Sequence, residues 1–269
     1  MPELPEVETI KRGLTRVVLG RRIAAVDVLE LRSVLPSAAF FRRELIGRKI
    51  KTIDRRGKYL IFTLDNGRIM IGHLRMTGQL IVAKNPAPQK FSRVVIEFSG
   101  GISLHFNDLR KFGRLELLPK KYSGPLLANV GEDMLTIAPH AFHTALARRP
   151  RANIKAALLD QRFFSGIGNI YADEALYAAG ILPERAVGDL SLAEMKKLYL
   201  VTKRILARAV RLGGTSYSDY VDAAGQPGRY LKELKVYQRH GKPCKKCRAL
   251  IRKRRLAGRG THYCEKCQL

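Results

Sequence analysis

Residues 49–73 read KIKTIDRRGKYLIFTLDNGRIMIGH, and this stretch decides the class of the N-terminal half. Lys49–Asp54, Tyr59–Leu64 and Arg68–His73 are short, alternating runs rich in β-branched, aromatic and aliphatic residues. That is the pattern of half-buried strands, and Asp65-Asn66-Gly67 punctuates them with a turn. Runs of the same kind recur at Ile23–Val28, Val94–Phe98, Ile102–Phe106 and Arg114–Leu118, with Gly100-Gly101 as another break. The pattern predicts a β-sandwich or barrel over residues 1–118. One amphipathic helix precedes it at 5–18, where Val7, Ile10, Leu14, Val17 and Val18 share a face. Pro5 suits its first turn, and Glu6 and Glu8 complement the helix dipole there.

Beyond Pro119–Pro125 the character changes, so 119–135 reads as a linker and 136–228 as a helical domain. Ile154–Asp160, Tyr171–Ala179 and Ser191–Leu212 have helical patterning. The last opens on a Ser191–Glu194 capping box and closes at Gly213-Gly214. Ser165-Gly-Ile-Gly-Asn169 lies between the two short helices. It is either an ordinary interhelical turn or a turn whose outward N–H groups form a phosphate site at a helix start. Thr215–Gly228 reads as a flexible stretch leading into 229–269. All four cysteines lie there, as C-x2-C-x16-C-x2-C: Cys244, Cys247, Cys264 and Cys267. Two disulfides are the rival reading, and a reducing compartment argues against them. Four thiolates at this spacing form a zinc ribbon around one structural Zn2+, with no coordination position left open for catalysis. The class is therefore α+β and multidomain: a sandwich with one N-terminal helix, a helical domain and a zinc finger.

The chain has 269 residues and a net charge of +27, with a hydrophobic fraction of 46 % that still supports a core. Segment 229–269 alone carries 14 Lys/Arg against 2 acids. Such charge suits a polyanion, and nucleic acid is the usual one. No apolar run approaches the ~18 residues of a membrane span. The MPELPEVET start is acidic where a signal peptide is basic, so the expected location is cytoplasmic. No oligomer or small-molecule cofactor is indicated, and a monomer is expected.

That start is chemically unusual. Removal of Met1 ahead of the small Pro2 would expose a secondary amine. A terminal α-amine titrates near ~7.8 against ~10.4 for lysine, so a usable fraction is neutral at pH 7. Such an amine attacks an electrophilic carbon unaided, and at an aldehyde-level carbon gives an iminium, a good electron sink. Glu3 and Glu6 could move protons beside it. The competing reading is that proline and glutamate here merely cap the helix. Yet three acids among the first eight residues of so basic a chain need a reason.

Together these features resemble the bacterial formamidopyrimidine-DNA glycosylase family. The resemblance covers essentially the whole chain: PELPEVET, RRGKYL (55–60), HLRMTG (73–78), DLRKFG (108–113), GIGNIYADEALYAAGI (166–181), PGRYLKELKVYQRHGKPC and the finger with GRGTHYC. It implies a helix-two-turn-helix fold for the helical domain and a bifunctional enzyme. That enzyme would excise 8-oxoguanine and formamidopyrimidines from damaged double-stranded DNA, then cut the abasic site by β- and δ-elimination. By resemblance Pro2 is the Schiff-base nucleophile and Glu3 the proton donor that opens the sugar. Lys58 is the donor for β-elimination and Arg259 its counterpart for δ-elimination. A guanidinium does not readily lose a proton, so Arg259 suits a phosphate clamp better. Lys58 equally suits a solvated phosphate-binding face, and Glu6 a cap or a support for the amine.

The target nucleotide must leave the duplex, and Met76, Arg110 and Phe112 match the family's gap-filling residues. Core packing is the rival for Met76 and Phe112, but both sit in glycine-bearing turns. Asn169 would grip phosphate, with Arg151, His73 and Lys155 as further DNA contacts. The 215–228 segment corresponds to the family's damaged-base loop, and Tyr217 and Tyr220 would suit a mobile lid. Phe91-Ser92-Arg93 replaces the family's His-x-His, Arg248 its usual glycine, and Gly131-Glu-Asp-Met134 its proline-rich link. The alternatives are the sister endonuclease VIII-type enzyme for oxidised pyrimidines and a silent zinc-finger DNA-binding paralogue.

Overall fold

The structure is a computed structural model that describes residues 1–119 and 125–269. It divides into two compact units, Met1–Pro125 with Leu212–Leu231, and Leu126–Arg211 with Lys232–Leu269. Residues 120–124 of the expected 119–135 linker lie outside the described residues.

In the first unit, helix α1 (Leu4–Val18) starts with proline in its first turn and a reciprocal capping box between Glu3 and Glu6. Its Val7, Ile10, Leu14 and Val18 are buried together in the core. The strands are β1 (Ile23–Val28), β2 (Val34–Leu35), β3 (Ile50–Arg56), β4 (Tyr59–Leu64), β5 (Ile69–His73), β6 (Gly78–Ala83), β7 (Ser92–Phe98), β8 (Ile102–Asp108) and β9 (Arg114–Leu117). They form two sheets, in the orders β1-β7-β8-β6 and β2-β9-β5-β4-β3. All pairings are antiparallel except β2 with β9. Alternate residues of β4 point inward, Leu60, Phe62 and Leu64, and meet Val94, Ile96, Leu104 and Phe106 of the other sheet in one core.

The expectation of one helix is corrected. A second helix, α2 (Ala38–Leu45), is capped by Ser37 and buries Phe41 and Leu45. It is too short to show a periodicity in sequence. Segment 212–231 packs with this unit. Tyr220 and Ala223 join its core, and Val82 N–H donates to the Ala223 carbonyl at 2.8 Å.

The second unit holds α3 (Pro125–Ala128), β10 (Glu132–Asp133), α4 (Pro139–Ala147), α5 (Ile154–Leu159), β11 (Phe164–Ser165), α6 (Asn169–Ala179) and α7 (Leu192–Arg211), then the hairpin β12 (Arg252–Leu256) and β13 (Arg259–Tyr263). Phe142, Phe164 and Tyr199 make its aromatic centre. Helix α6 is buried along most of its length and ends at Gly180, whose φ of 80° suits the left-handed cap. No helix among the described residues is long and apolar enough to cross a membrane.

Candidate active site and nucleic-acid interface

At the N-terminus the acids of the first turn are buried, not solvated. Pro2 is buried, and Glu3 and Glu6 are 2 % and 1 % exposed. One Glu6 oxygen accepts the Glu3 N–H at 2.8 Å and the other the Thr215 N–H at 2.7 Å. Glu6 therefore fixes the extended backbone that carries Pro2 and Glu3, and does so against segment 212–231. Gly214 makes this approach possible. Its φ is +84°, and a Cβ there would lie 2.8 Å from Glu6 Oε1. The Tyr220 hydroxyl donates to the Gly213 carbonyl at 3.0 Å, and burial pushes its phenol well above the ordinary range. Tyr220 is thus a post inside the core, whereas Tyr217 is exposed.

The third acid explains itself through Arg55. Glu8 Oε2 meets Arg55 Nε at 2.9 Å, with side-chain exposures of only 7 % and 5 %. Burial opposes ionisation of Glu8, but hydrogen bonds from Arg55 and Arg12 and the charge of Lys11 outweigh it and hold its pKa down. Arg55 Nη1 also donates to the Gly57 carbonyl at 2.9 Å. Gly57 and Lys58 are the turn between β3 and β4, and Gly57 has a φ of 57°. The pair therefore ties the turn bearing Lys58 to the helix that Pro2 and Glu3 lead into. Lys58 itself is 7 % exposed, which does not fit a solvated face.

His73, at the end of β5, packs edge-on against Tyr59, ring centres 4.4 Å apart, and its Nδ1 accepts the Arg75 N–H at 3.0 Å. Burial, then the charges of Arg75 and Lys58, lower its pKa to about 3. It is therefore a neutral ring whose Nε2 carries the proton. Met76 and Phe112 are 39 % and 50 % exposed, in the turns β5–β6 and β8–β9. Core packing is excluded for both. Exposed Arg110 stacks its guanidinium 4.7 Å from the Phe112 ring centre. Phe91, at the expected histidine position, is 37 % exposed, and Arg93 is turned to the Asp108 carbonyl at 2.8 Å.

In the second unit the Ser165–Asn169 turn leads into α6, with Gly168 as its N-cap. Asn169 Nδ2 donates to the Gly260 carbonyl at 2.8 Å, while its Oδ1 is buried without a partner. The amide's second N–H suits a phosphate oxygen. Arg151 is exposed. Arg259 is exposed too, directly after the tight Ala257-Gly258 turn of the hairpin, whose φ angles are 47° and 72°.

Lys155 requires a correction. It is fully buried, not a surface contact for DNA. Its ammonium meets Asp173 Oδ1 at 2.6 Å and Thr261 Oγ1 at 2.7 Å, with the Gly260 carbonyl at 3.3 Å. A cation with no access to water needs such partners. Asp173 also accepts the His262 N–H at 2.9 Å, and its α6 neighbour Glu174 accepts three successive backbone N–H groups, 235 to 237. Two adjacent acids of GIGNIYADEALYAAGI thus dock the finger onto α6. Their charge was legible in the sequence, but their partners were not.

The finger's four sulfurs all lie within 4.8 Å of one another, Cys247–Cys264 at 3.4 Å and Cys244–Cys267 at 3.9 Å. Tetrahedral Zn–S bonds of ~2.3 Å place sulfurs ~3.8 Å apart, so the four residues fit one structural zinc ion. The Tyr177 hydroxyl of α6 lies 3.2 Å from Cys244 Sγ and suits donation to a thiolate. Val236 and Ile251 pack beside the cysteines, so the finger has a small apolar core as well as its metal site.

The chain matches three family models: the formamidopyrimidine-DNA glycosylase N-terminal domain over 1–115, the formamidopyrimidine-DNA glycosylase H2TH domain over 132–221, and the zinc finger found in FPG and IleRS over 241–269. It is 44 % identical to the formamidopyrimidine-DNA glycosylase of Desulfitobacterium hafniense, covering 100 % of both chains. Among solved structures it is similar to Lactococcus lactis Fpg bound to DNA containing an abasic site, at 36 % identity, a TM-score of 0.91 and 99 % coverage of each chain. A variant of the same protein with DNA containing Fapy-dG matches at 36 %, a TM-score of 0.92 and 99 % of each chain.

Proposed function

The chain belongs to the formamidopyrimidine-DNA glycosylase family of base-excision-repair enzymes, and from that membership we propose that it is a bifunctional glycosylase and abasic-site lyase acting as a monomer on oxidised purines. Damaged double-stranded DNA is its substrate, and the bacterial cytoplasm, at the nucleoid, is where it acts. With Met1 removed, the Pro2 nitrogen bonds to the sugar C1′ as the glycosidic bond breaks, and that bonding pair leaves with the base, which takes up the proton the Pro2 nitrogen gives up. Glu3 gives a proton to O4′ as the ring opens, which leaves an iminium between Pro2 and C1′.

The iminium acidifies the C2′ proton. Its loss expels the 3′-phosphate, and a second elimination expels the 5′-phosphate. Lys58 protonates the first departing phosphate, and Arg259 clamps the second with a charge that stays in place. Met76 and Phe112 wedge the opened step, Arg110 faces the orphaned base, and Asn169, Arg151 and neutral His73 hold phosphate. Zinc, held by Cys244, Cys247, Cys264 and Cys267, supplies folding energy to the finger and takes no part in the reaction.

The observation that carries this reading is the Glu6 clamp. A buried carboxylate bonded to the Glu3 backbone, and to a segment more than 200 residues away, is more than a helix cap needs. The test is borohydride trapping on an 8-oxoguanine duplex, after intact mass has established loss of Met1. Wild type should form a covalent adduct, and the same protein with its terminal amine acetylated none. An untrapped wild type would favour the silent DNA-binding paralogue. A faster reaction on thymine glycol duplexes would favour the endonuclease VIII-type reading.

A further inference from the structure

Asp108 ends β8 with its carboxylate 1 % exposed, and no step above employs it. We propose that Asp108 is a positioning residue that joins the Met76 loop and the Arg110–Phe112 loop into one wedge. The proposal rests on the wedge reading above.

The two loops leave different strands, and nothing in their sequence couples them. Asp108 does so through both oxygens. Oδ1 accepts the Thr77 hydroxyl from the Met76 loop and, at 3.2 Å, the Arg110 N–H. Oδ2 accepts the Gly113 N–H at 2.7 Å. The Thr77 oxygen, while its hydroxyl donates to the carboxylate, accepts the Arg110 N–H in turn at 3.1 Å. One carboxylate therefore holds both ends of the second loop and, through a single hydroxyl, the first loop as well. A plain turn-capping aspartate would need only the bonds to residues 110 and 113. The bond to Thr77 has no part in that role.

The loops are also built alike. Each places a basic residue in the left-handed region, Arg75 at φ 55° and Lys111 at φ 59°. Each closes on a glycine with no room for a side chain. A Cβ on Gly78 would lie 2.4 Å from the Leu74 carbonyl, and one on Gly113 would lie 2.7 Å from the Phe106 ring and 3.1 Å from Asp108 Oδ2. Strained, close-packed turns keep their shape only when their surroundings over-determine it, and here the carboxylate does so. Side chains entering a base step must resist restacking, so the two loops serve best as one rigid body.

The experiment places 2-aminopurine beside 8-oxoguanine in a duplex and reads the fluorescence rise as saturating protein opens the stack. Asp108→Asn keeps size and one acceptor but turns an NH2 group toward a backbone N–H. Thr77→Val removes only the link between loops. Both should lower the rise, and excision kcat should fall about tenfold for Asp108→Asn with little change in KM, the mark of an interaction made on the way to the transition state. Met76→Ala and Phe112→Ala run alongside. If neither lowers the rise, the wedge reading itself fails. If they lower it while Asp108→Asn and Thr77→Val keep both the full rise and wild-type kcat, the Asp108 proposal is overturned. Thermal melting accompanies each variant. Should Asp108→Asn lose its cooperative melt, Thr77→Val decides by the same readout.

Discussion

Replacing Lys155 separates its two possible roles. Lys155 and Asp173 are both 0 % exposed and 2.6 Å apart. Lys155→Met keeps the stem but leaves Asp173 as a buried charge without its cation. Breaking a buried pair from one side costs about 3–5 kcal/mol, because the desolvation of the remaining ion is no longer offset. At about 2–4 °C per kcal/mol for chains of this size, the melting temperature should fall by roughly 10 °C. Lys155→Met with Asp173→Asn removes both charges, and the asparagine carbonyl can still accept the His262 N–H. The double variant should therefore recover most of the loss, since replacing both members of a buried pair is often near neutral. Calorimetry on wild type, Lys155→Met, Asp173→Asn and the double variant gives the coupling. DNA affinity against salt gives the rival: a phosphate contact would lower the log–log slope by about one unit. A Lys155→Met protein with wild-type melting and a reduced slope would refute the buried-tie assignment, as would strictly additive losses.

Glu8→Gln should cost about 2 kcal/mol, because the buried Arg55 guanidinium exchanges a charge-assisted hydrogen bond for a neutral one, and abasic-site cleavage should slow with it since Arg55 also holds the turn of Lys58. Denaturant melts and single-turnover lyase rates check the two effects. His73 should stay neutral down to nearly pH 3, read from its imidazole NMR shifts. Its folded pKa lies below its unfolded value of 6.5, so the unfolded chain alone takes up the proton between those limits. That share of stability is complete above pH 6.5 and is lost as pH falls toward about 3, and His73→Phe should flatten the acid limb of a melting-temperature profile. Atomic absorption should find one zinc per chain. Chelation or Cys247→Ser should abolish tight duplex binding while the helical circular dichroism of α4–α7 persists, because only the finger draws folding energy from the metal.

Where the chain's period is local, sequence and structure agree closely. Strands Ile23–Val28 and Tyr59–Leu64 begin and end where the alternation does. Strand Gly78–Ala83 was not visible, because Leu80-Ile-Val-Ala83 is continuously apolar and carries no period. Helix α2 is too short to show one. Of the candidate site, the Pro2–Glu3 start and the cysteines stood out by residue type and position, and Met76, Arg110 and Phe112 by their match to the family's gap-filling residues. Glu8 read only as a complement to the helix dipole until Arg55, 47 residues on, supplied a buried partner.

The one-dimensional chain settled what depends on neighbours a few positions away: strand period, helix caps, turn glycines and the two Cys-x2-Cys knuckles that bracket a metal. Folding alone decided which charges lose water. Lys155 looked like one more surface cation until Asp173, 18 residues on, and Thr261, 106 residues on, enclosed its ammonium. Segment 215–228 looked like a flexible stretch leading to the finger until Tyr220 and Ala223 entered the core beside α1. Desolvation and hydrogen bonding act through space, between groups the chain order holds far apart. The pattern of charges therefore marks candidates, and only burial distinguishes a group that meets DNA from one that holds the protein together.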